Sequence, residues 1–80
     1  MNIFISNLDS RTTEKDLHDL FSEYGKFRSS RVRSIMDLRT RGFNTFTYIE
    51  IPDDEVARQA IEKYTNIVLL GRAIKMEQAG

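Results

Sequence analysis

Two aromatic side chains, about forty positions apart, are the residues of this 80-residue chain whose type and spacing most clearly suggest chemistry. Phe4 lies in the alternating segment 2–6, and Phe43 lies in segment 42–51, which is rich in Phe, Thr, Tyr and Ile, all good strand formers. We expect two neighbouring strands of one small sheet, with both rings on its outward face. An exposed ring on such a face offers a flat surface on which an unpaired nucleobase stacks.

Basic and polar side chains are expected around these rings. Alternation places two arginines outward on a second strand, a third arginine beside Phe43 and a lysine on the last strand. Rings that stack on bases and cations that contact phosphates together suit a single-stranded nucleic acid. The candidate binding residues are therefore Asn2, Phe4, Arg31, Arg33, Arg41, Phe43, Thr45 and Lys75.

The formal net charge is zero, with 12 basic and 12 acidic residues, but the charges are unevenly distributed. Segment 26–41 carries six Lys and Arg residues against the single acid Asp37, whereas segments 14–24 and 53–64 are mainly acidic. If the acidic segments are helices in one layer, the sheet in the other layer presents the basic face. The simpler interpretation is two solvated helices and a basic loop.

Several functional classes are disfavoured by composition. The chain has no Cys and a single His, His18, which falls off the apolar stripe of its helix, so we expect no metal site and no cofactor. No phosphate-binding Gly-rich loop and no nucleophile–base pair are present, so we expect no enzyme. No apolar run approaches the roughly 18 residues of a membrane span, and a cytoplasmic monomer is the default expectation.

The elements alternate in a simple order. A helix is expected to begin at Thr13, with its core stripe at Leu17, Leu20 and Phe21 and its end at Gly25. A second helix begins after Pro52, and Asn66 ends it. The expected strands are 2–6, 27–33 (Ser30 and Val32 inward, Ser29 outward), 42–51 and 72–77, with a basic loop at 34–40 and a short extra strand at 67–70.

This order, βαββαβ, is that of the α+β, ferredoxin-like sandwich: a four-stranded antiparallel sheet with two helices on one face and the other face open. The segments Ile3-Phe4-Ile5-Ser6-Asn7-Leu8 and Arg41-Gly42-Phe43-Asn44-Thr45-Phe46-Thr47-Tyr48 resemble the hexamer and octamer of the RNA recognition motif family. The first helix and segment 71–76 also resemble that family, so the likeness covers residues 2–79. Freestanding single-domain members of about this size are familiar from bacteria, so the resemblance implies a bacterial source.

The resemblance implies a single domain, 1–80, that binds single-stranded RNA in post-transcriptional regulation. In the family, the second hexamer residue and the third and fifth octamer residues carry the stacking rings, which here would be Phe4, Phe43 and Thr45. Thr45 departs from the pattern, so we expect two rings and a gain in affinity on Thr45→Phe. Asn44 and Phe46 are then expected to face inward, with Phe46 filling space left by Ser30.

Other functions remain open on the sequence alone. A protein-interaction module of the same fold, with weak or no RNA binding, is the main alternative, because members that lose stacking rings can bind peptides. Acylphosphatase-like hydrolases can share this topology, but the sequence shows no catalytic groups that would support such an activity. The sequence also leaves RNA and single-stranded DNA undistinguished.

Overall fold

A computed structural model describes residues 1–24, 27–29 and 31–79. Its helices are α1 (Glu14–Leu20) and α2 (Asp54–Tyr64), and a single 3₁₀ turn (Ser22–Tyr24) follows α1. Its strands are β1 (Asn2–Leu8), β2 (Arg28–Ser29), β3 (Arg33–Asp37), β4 (Gly42–Glu50), β5 (Val68–Leu69), β6 (Arg72–Ala73) and β7 (Lys75–Ala79).

The main sheet is antiparallel throughout. Strands β2 and β3 both pair with the same edge of β4, β4 pairs with β1, and β1 pairs with β7. Five strands therefore fill four positions, and β5 and β6 form a separate small hairpin before β7. This is the expected ferredoxin-like arrangement, in which β1 and β4 occupy the centre of the sheet.

One face of the sheet is buried beneath both helices. Every second residue of the central strands points into a single apolar core, where it meets the inner faces of α1 and α2. The opposite face has no covering layer among the described residues. The core is formed by Ile3, Ile5, Leu8, Leu17, Phe21, Ile49, Ile51, Ala57, Ala60, Tyr64, Ile74 and Met76.

Local side-chain bonds fix where the helices begin. The Thr13 hydroxyl accepts a hydrogen bond from the Asp16 amide at 3.3 Å, and the Asp16 carboxylate accepts one from the Thr13 amide at 3.0 Å. Before α2, the Asp53 carboxylate accepts hydrogen bonds from the amides of Glu55 and Val56 at 2.9 and 3.2 Å. Both expected helix starts are confirmed.

Helix ends are only partly tested. Asn66, two residues beyond α2, has a φ of 69°, the left-handed conformation expected there. The end expected at Gly25 lies outside the described residues.

The expected second strand is wrong in its extent. In place of one strand over 27–33 and a loop over 34–40, β2 holds two residues and β3 forms a hairpin with β4. The turn is closed by hydrogen bonds to Asp37, whose carbonyl accepts from the Arg41 amide at 2.8 Å and whose carboxylate accepts from the Arg39 amide at 2.9 Å. Ser29 lies opposite the buried Ile49 and so faces the helices, not outward as expected.

Candidate nucleic-acid interface

The burial of β4 decides which of its side chains reach the open face. Thr45, Thr47 and Ile49 are each only 1% exposed and point toward the helices. Because successive strand residues point to opposite faces, Phe46 and Tyr48 lie on the open face. The expected outward positions of Phe43 and Thr45 are therefore wrong, as are the inward positions of Asn44 and Phe46.

The faces were reversed because the alternation of side chains along β4 was counted from the wrong starting residue. A match anchored on the Arg41-Gly42-Phe43 triplet assigns odd-numbered residues to the open face. The buried Ile49 and Ile51 require odd-numbered residues to face the core, and a wrong assignment reverses every side chain of the strand. Phe46 consequently fills no space in the core, and Ser30 lies outside the described residues.

Three aromatic rings meet on the open face. Phe4 of β1 lies 5.1 Å from Tyr48 and 5.7 Å from Phe46, measured between ring centroids, and Phe46 lies 6.4 Å from Tyr48. These separations are typical of interacting aromatic pairs. We call Phe4, Phe46 and Tyr48 the ring platform.

The ring platform restores the family pattern with a different register. If the octamer begins at Asn44 instead of Arg41, its third and fifth residues are Phe46 and Tyr48. Thr45 then occupies the position that is usually glycine, which is not one of the positions that carry a stacking ring. The sequence did contain a signal for this register. Downstream of the Arg41-Gly42-Phe43 triplet, Ile49 and Ile51 are apolar at alternate positions, which indicates that they, and Thr47 with them, face the core.

Thr45 makes a buried contact between strands and is not available on the open face. Its buried hydroxyl lies 2.9 Å from the hydroxyl of Ser34, its direct partner on β3. This hydrogen bond joins β3 to β4 on the helix side of the sheet.

Phe43 is a ring outside the ring platform. It is 51% exposed, but it points to the same side of β4 as Thr45 and lies opposite Met36 on β3. It belongs to the part of the β3–β4 hairpin near the turn.

Cationic residues lie on both sides of the ring platform. Arg33 is the direct partner of Phe46 on the outer side of β4, and Lys75 is the direct partner of Ser6 on β7. Both are exposed and share the open face with the rings. The acids on this face include Glu77, opposite Phe4, and Glu50, opposite Asn2.

The other expected cations lie away from the ring platform. Arg31 lies between β2 and β3, outside the strands that carry the rings. The pKa of Glu14 on α1 is lowered by hydrogen bonds from the Glu14 and Val32 amides and, to a lesser extent, by the charge of Arg31. Arg41 follows the hairpin turn with a φ of 58°. Asn2 does lie on the open face, two residues before Phe4 on β1.

A shallow cleft of about 430 Å³ opens beside two of the rings. Its end is shaped by an irregularity in β1, where the pairing shifts between Ile5 and Leu8 and Asn7 takes a φ of 60°. The Asn7 amide donates to the Ala73 carbonyl and accepts from Arg72, both at 2.7 Å. The cleft is lined by Phe4, Ser6, Asn7, Ile35, Asn44, Thr45, Phe46 and Lys75.

Several residues of this face were missing from the expected site. Phe46 and Tyr48 were missed through the wrong register, and Ile35 was missed because its strand was taken for a loop. Ser6, Asn7 and Asn44 are polar residues whose placement depends on pairing between distant strands, and nothing in their local sequence marks it.

Neither a metal site nor a membrane-spanning helix is found among the described residues. No group of three His, Cys, Asp or Glu side chains is placed to hold a metal ion. No helix over residues 1–24, 27–29 and 31–79 is long and apolar enough to cross a membrane.

Comparison with known proteins supports the family resemblance. The RNA recognition motif family matches residues 3–75. Over 77 residues the chain is 38% identical to Multiple RNA-binding domain-containing protein 1 of Emericella nidulans, covering 96% of this chain and 9% of that protein. It is 32% identical over 78 residues to THO complex subunit 4C of Arabidopsis thaliana, covering 98% of this chain and 25% of that protein.

A solved structure agrees in fold and sequence. RNA binding protein PG1 superimposes with a TM-score of 0.72 at 34% identity, covering 99% of this chain and 93% of that one. The two curated relatives come from a fungus and a plant and do not support the expected bacterial source, and the chain spans a quarter or less of their length. On its sequence, strand order and ring platform, this chain belongs to the RNA recognition motif family.

Proposed function

We propose that this chain binds single-stranded RNA on the open face of its sheet. The observation that carries the proposal is the ring platform, in which Phe4, Phe46 and Tyr48 lie within 6.4 Å of one another between the flanking cations Arg33 and Lys75. Such a face combines stacking surfaces for bases with positive charge for phosphates.

Each part of the face has a distinct role in the proposal. The rings supply base stacking, worth roughly 1–3 kcal/mol per base, and three such stacks give affinity in the micromolar range or better. Arg33 and Lys75 contact phosphates on opposite sides of the rings, and Arg31 and Arg41 add longer-range attraction from the sheet edge. Asn2 and the cleft beside Phe46 supply polar groups for base edges and sugars.

We further propose how the chain works as a unit. All three rings and both flanking cations lie within one chain, so one monomer forms the complete binding face as a single domain. We propose a non-catalytic role in post-transcriptional regulation in the cytoplasm. We also propose preference for RNA over single-stranded DNA, through contacts to the 2′-hydroxyl groups.

The alternative of a protein-interaction module loses its main support. It depended on the absence of a ring at Thr45, and the structure supplies the ring at Tyr48 instead.

The proposal is tested by an NMR titration with short oligoribonucleotides of mixed sequence at low salt, followed by the same sequences as DNA. We expect the amide resonances of β1, β4 and β7 to shift, while those of α1 and α2 stay unchanged. Weaker shifts with DNA would support RNA preference, and no binding at low salt would contradict the proposed function.

A further inference from the structure

Strand β3 has an edge without a partner. It pairs with β4 on one side, and no strand over residues 1–24, 27–29 and 31–79 pairs with its other side. An open edge presents unpaired N–H and C=O groups, which proteins usually protect with charges, prolines or bulges. The centre of β3 has none of these and exposes apolar side chains, with Ile35 58% and Met36 53% accessible.

The charges of β3 match those of a second copy of itself. The strand runs Arg33-Ser34-Ile35-Met36-Asp37, with one basic and one acidic end. If two copies pair antiparallel with Ile35 opposite Ile35, Arg33 of each copy lies opposite Asp37 of the other. Opposite charges directly across an antiparallel pair are favourable, and this arrangement provides two such pairs.

We propose that the β3 edge is a weak self-association surface, through which two copies of this chain join into one continuous antiparallel sheet. A two-fold axis at Ile35 makes the interface self-complementary, as closed dimers require. Pairing one five-residue strand buries less area than the roughly 1,200 Å² of a stable complex, so the association is reversible and concentration-dependent.

The opposite edge of the sheet is less suited to this. On β7 the side chains of Lys75 and of the central residue, Glu77, are exposed, and the only residue of the strand in the apolar core is Met76. Pairing there would cover no exposed apolar side chain of the strand centre. The combination of apolar exposure and matched charge is found at β3.

The dimer would place both open faces on the same side. Residues opposite each other across antiparallel strands share a face, and Arg33, Ile35 and Asp37 lie on the face of Phe46. Two ring platforms would then be presented side by side on one extended surface. Self-association itself does not depend on RNA.

Charge exchange tests the proposal. Arg33→Asp gives a strand with two acidic ends and Asp37→Arg gives one with two basic ends, so each variant alone repels its own copy. Because the Asp37 carboxylate also accepts the Arg39 amide in the hairpin turn, the β3–β4 pairing of Asp37→Arg is first verified from its amide NMR spectrum. A mixture of the two variants in equal amounts restores both opposite-charge pairs between unlike chains. Sedimentation equilibrium across a concentration series should show a rise from one-chain to two-chain mass for the wild type. The same rise should occur in the mixture, with association about tenfold weaker for either variant alone.

Two controls separate the interface from folding. Ile35→Lys changes an exposed side chain and places two cations at the two-fold axis, so it should keep the circular dichroism of the wild type and abolish the mass increase. Arg58→Asp on α2 should leave the association unchanged. A wild type that stays at one-chain mass at the highest soluble concentration would overturn the proposal, as would a mixture that associates no better than its components.

Discussion

Phe4 and Tyr48 are direct cross-strand partners at the centre of the sheet, and their ring centroids lie 5.1 Å apart with the planes tilted by 44°. Neither strand alone accounts for this contact, which joins residues 44 positions apart through the pairing of β1 with β4. The pair lies on the open face, where Tyr48 remains 46% exposed. Stacking on both rings is therefore available without a change in the fold.

Removing the Tyr48 ring should weaken RNA binding more than it weakens folding. Tyr48→Ala loses one stacking surface, so affinity measured by calorimetry should fall by about 1–3 kcal/mol. Tyr48→Phe keeps the ring and should stay close to wild type. Equal losses in both variants would show that the hydroxyl, and not the ring, makes the important contact.

Thr45→Phe should destabilise the protein and not improve binding. Thr45 is buried and bonded to Ser34, so a phenyl group there overpacks the helix-facing side and costs about 1–3 kcal/mol in urea unfolding. Asn44→Phe, on the neighbouring exposed residue, is the matched control and should be tolerated. A stable Thr45→Phe variant with tighter RNA binding would contradict the burial of Thr45.

Salt should weaken binding according to the cations of the sheet, in spite of the zero net charge. If about three phosphates are neutralised, the slope of log K against log salt is roughly −2, so a rise from about 50 to 200 mM weakens binding roughly 15- to 20-fold. Arg33→Ala should flatten the slope. Arg58→Ala should not, because Arg58 lies on α2 and pairs with Glu55 at 3.4 Å. Equal effects would indicate diffuse attraction.

Acid should loosen the contact between α1 and the start of β3. The pKa of Glu14 is lowered below its ordinary value of 4.5 by hydrogen bonds that its carboxylate accepts from the Glu14 amide and from the Val32 amide. A lowered folded-state pKa means that the stabilisation is complete above about 4.5 and is lost as pH falls through the folded value. The Val32 amide resonance should follow the Glu14 titration by NMR, and in Glu14→Gln this shift should disappear. A Glu14 pKa at or above 4.5 would contradict the bond to Val32.

What the sequence predicted depended on how local the signal was. The helix starts at Thr13 and Asp53 follow from bonds within three residues, and the fold followed from the order of such elements. The register of β4 depends on which face the core covers, and two candidate octamers overlap in one segment. Strand β3 was missed because its polar flanks resemble a loop and its pairing is set by the turn at Asp37.

The two phenylalanines of β4, the half-buried Phe46 and the exposed Phe43, provide the most direct test of the ring platform. Phe46 and Phe43 lie on the same strand, but Phe46 contacts Phe4 at 5.7 Å and Phe43 faces the other side, opposite Met36. We would measure the affinity of Phe46→Ala and Phe43→Ala for one short oligoribonucleotide by calorimetry. The ring platform predicts a loss of about 1–3 kcal/mol for Phe46→Ala and none for Phe43→Ala. A loss confined to Phe43→Ala, with Phe46→Ala folded and binding as the wild type does, would contradict it.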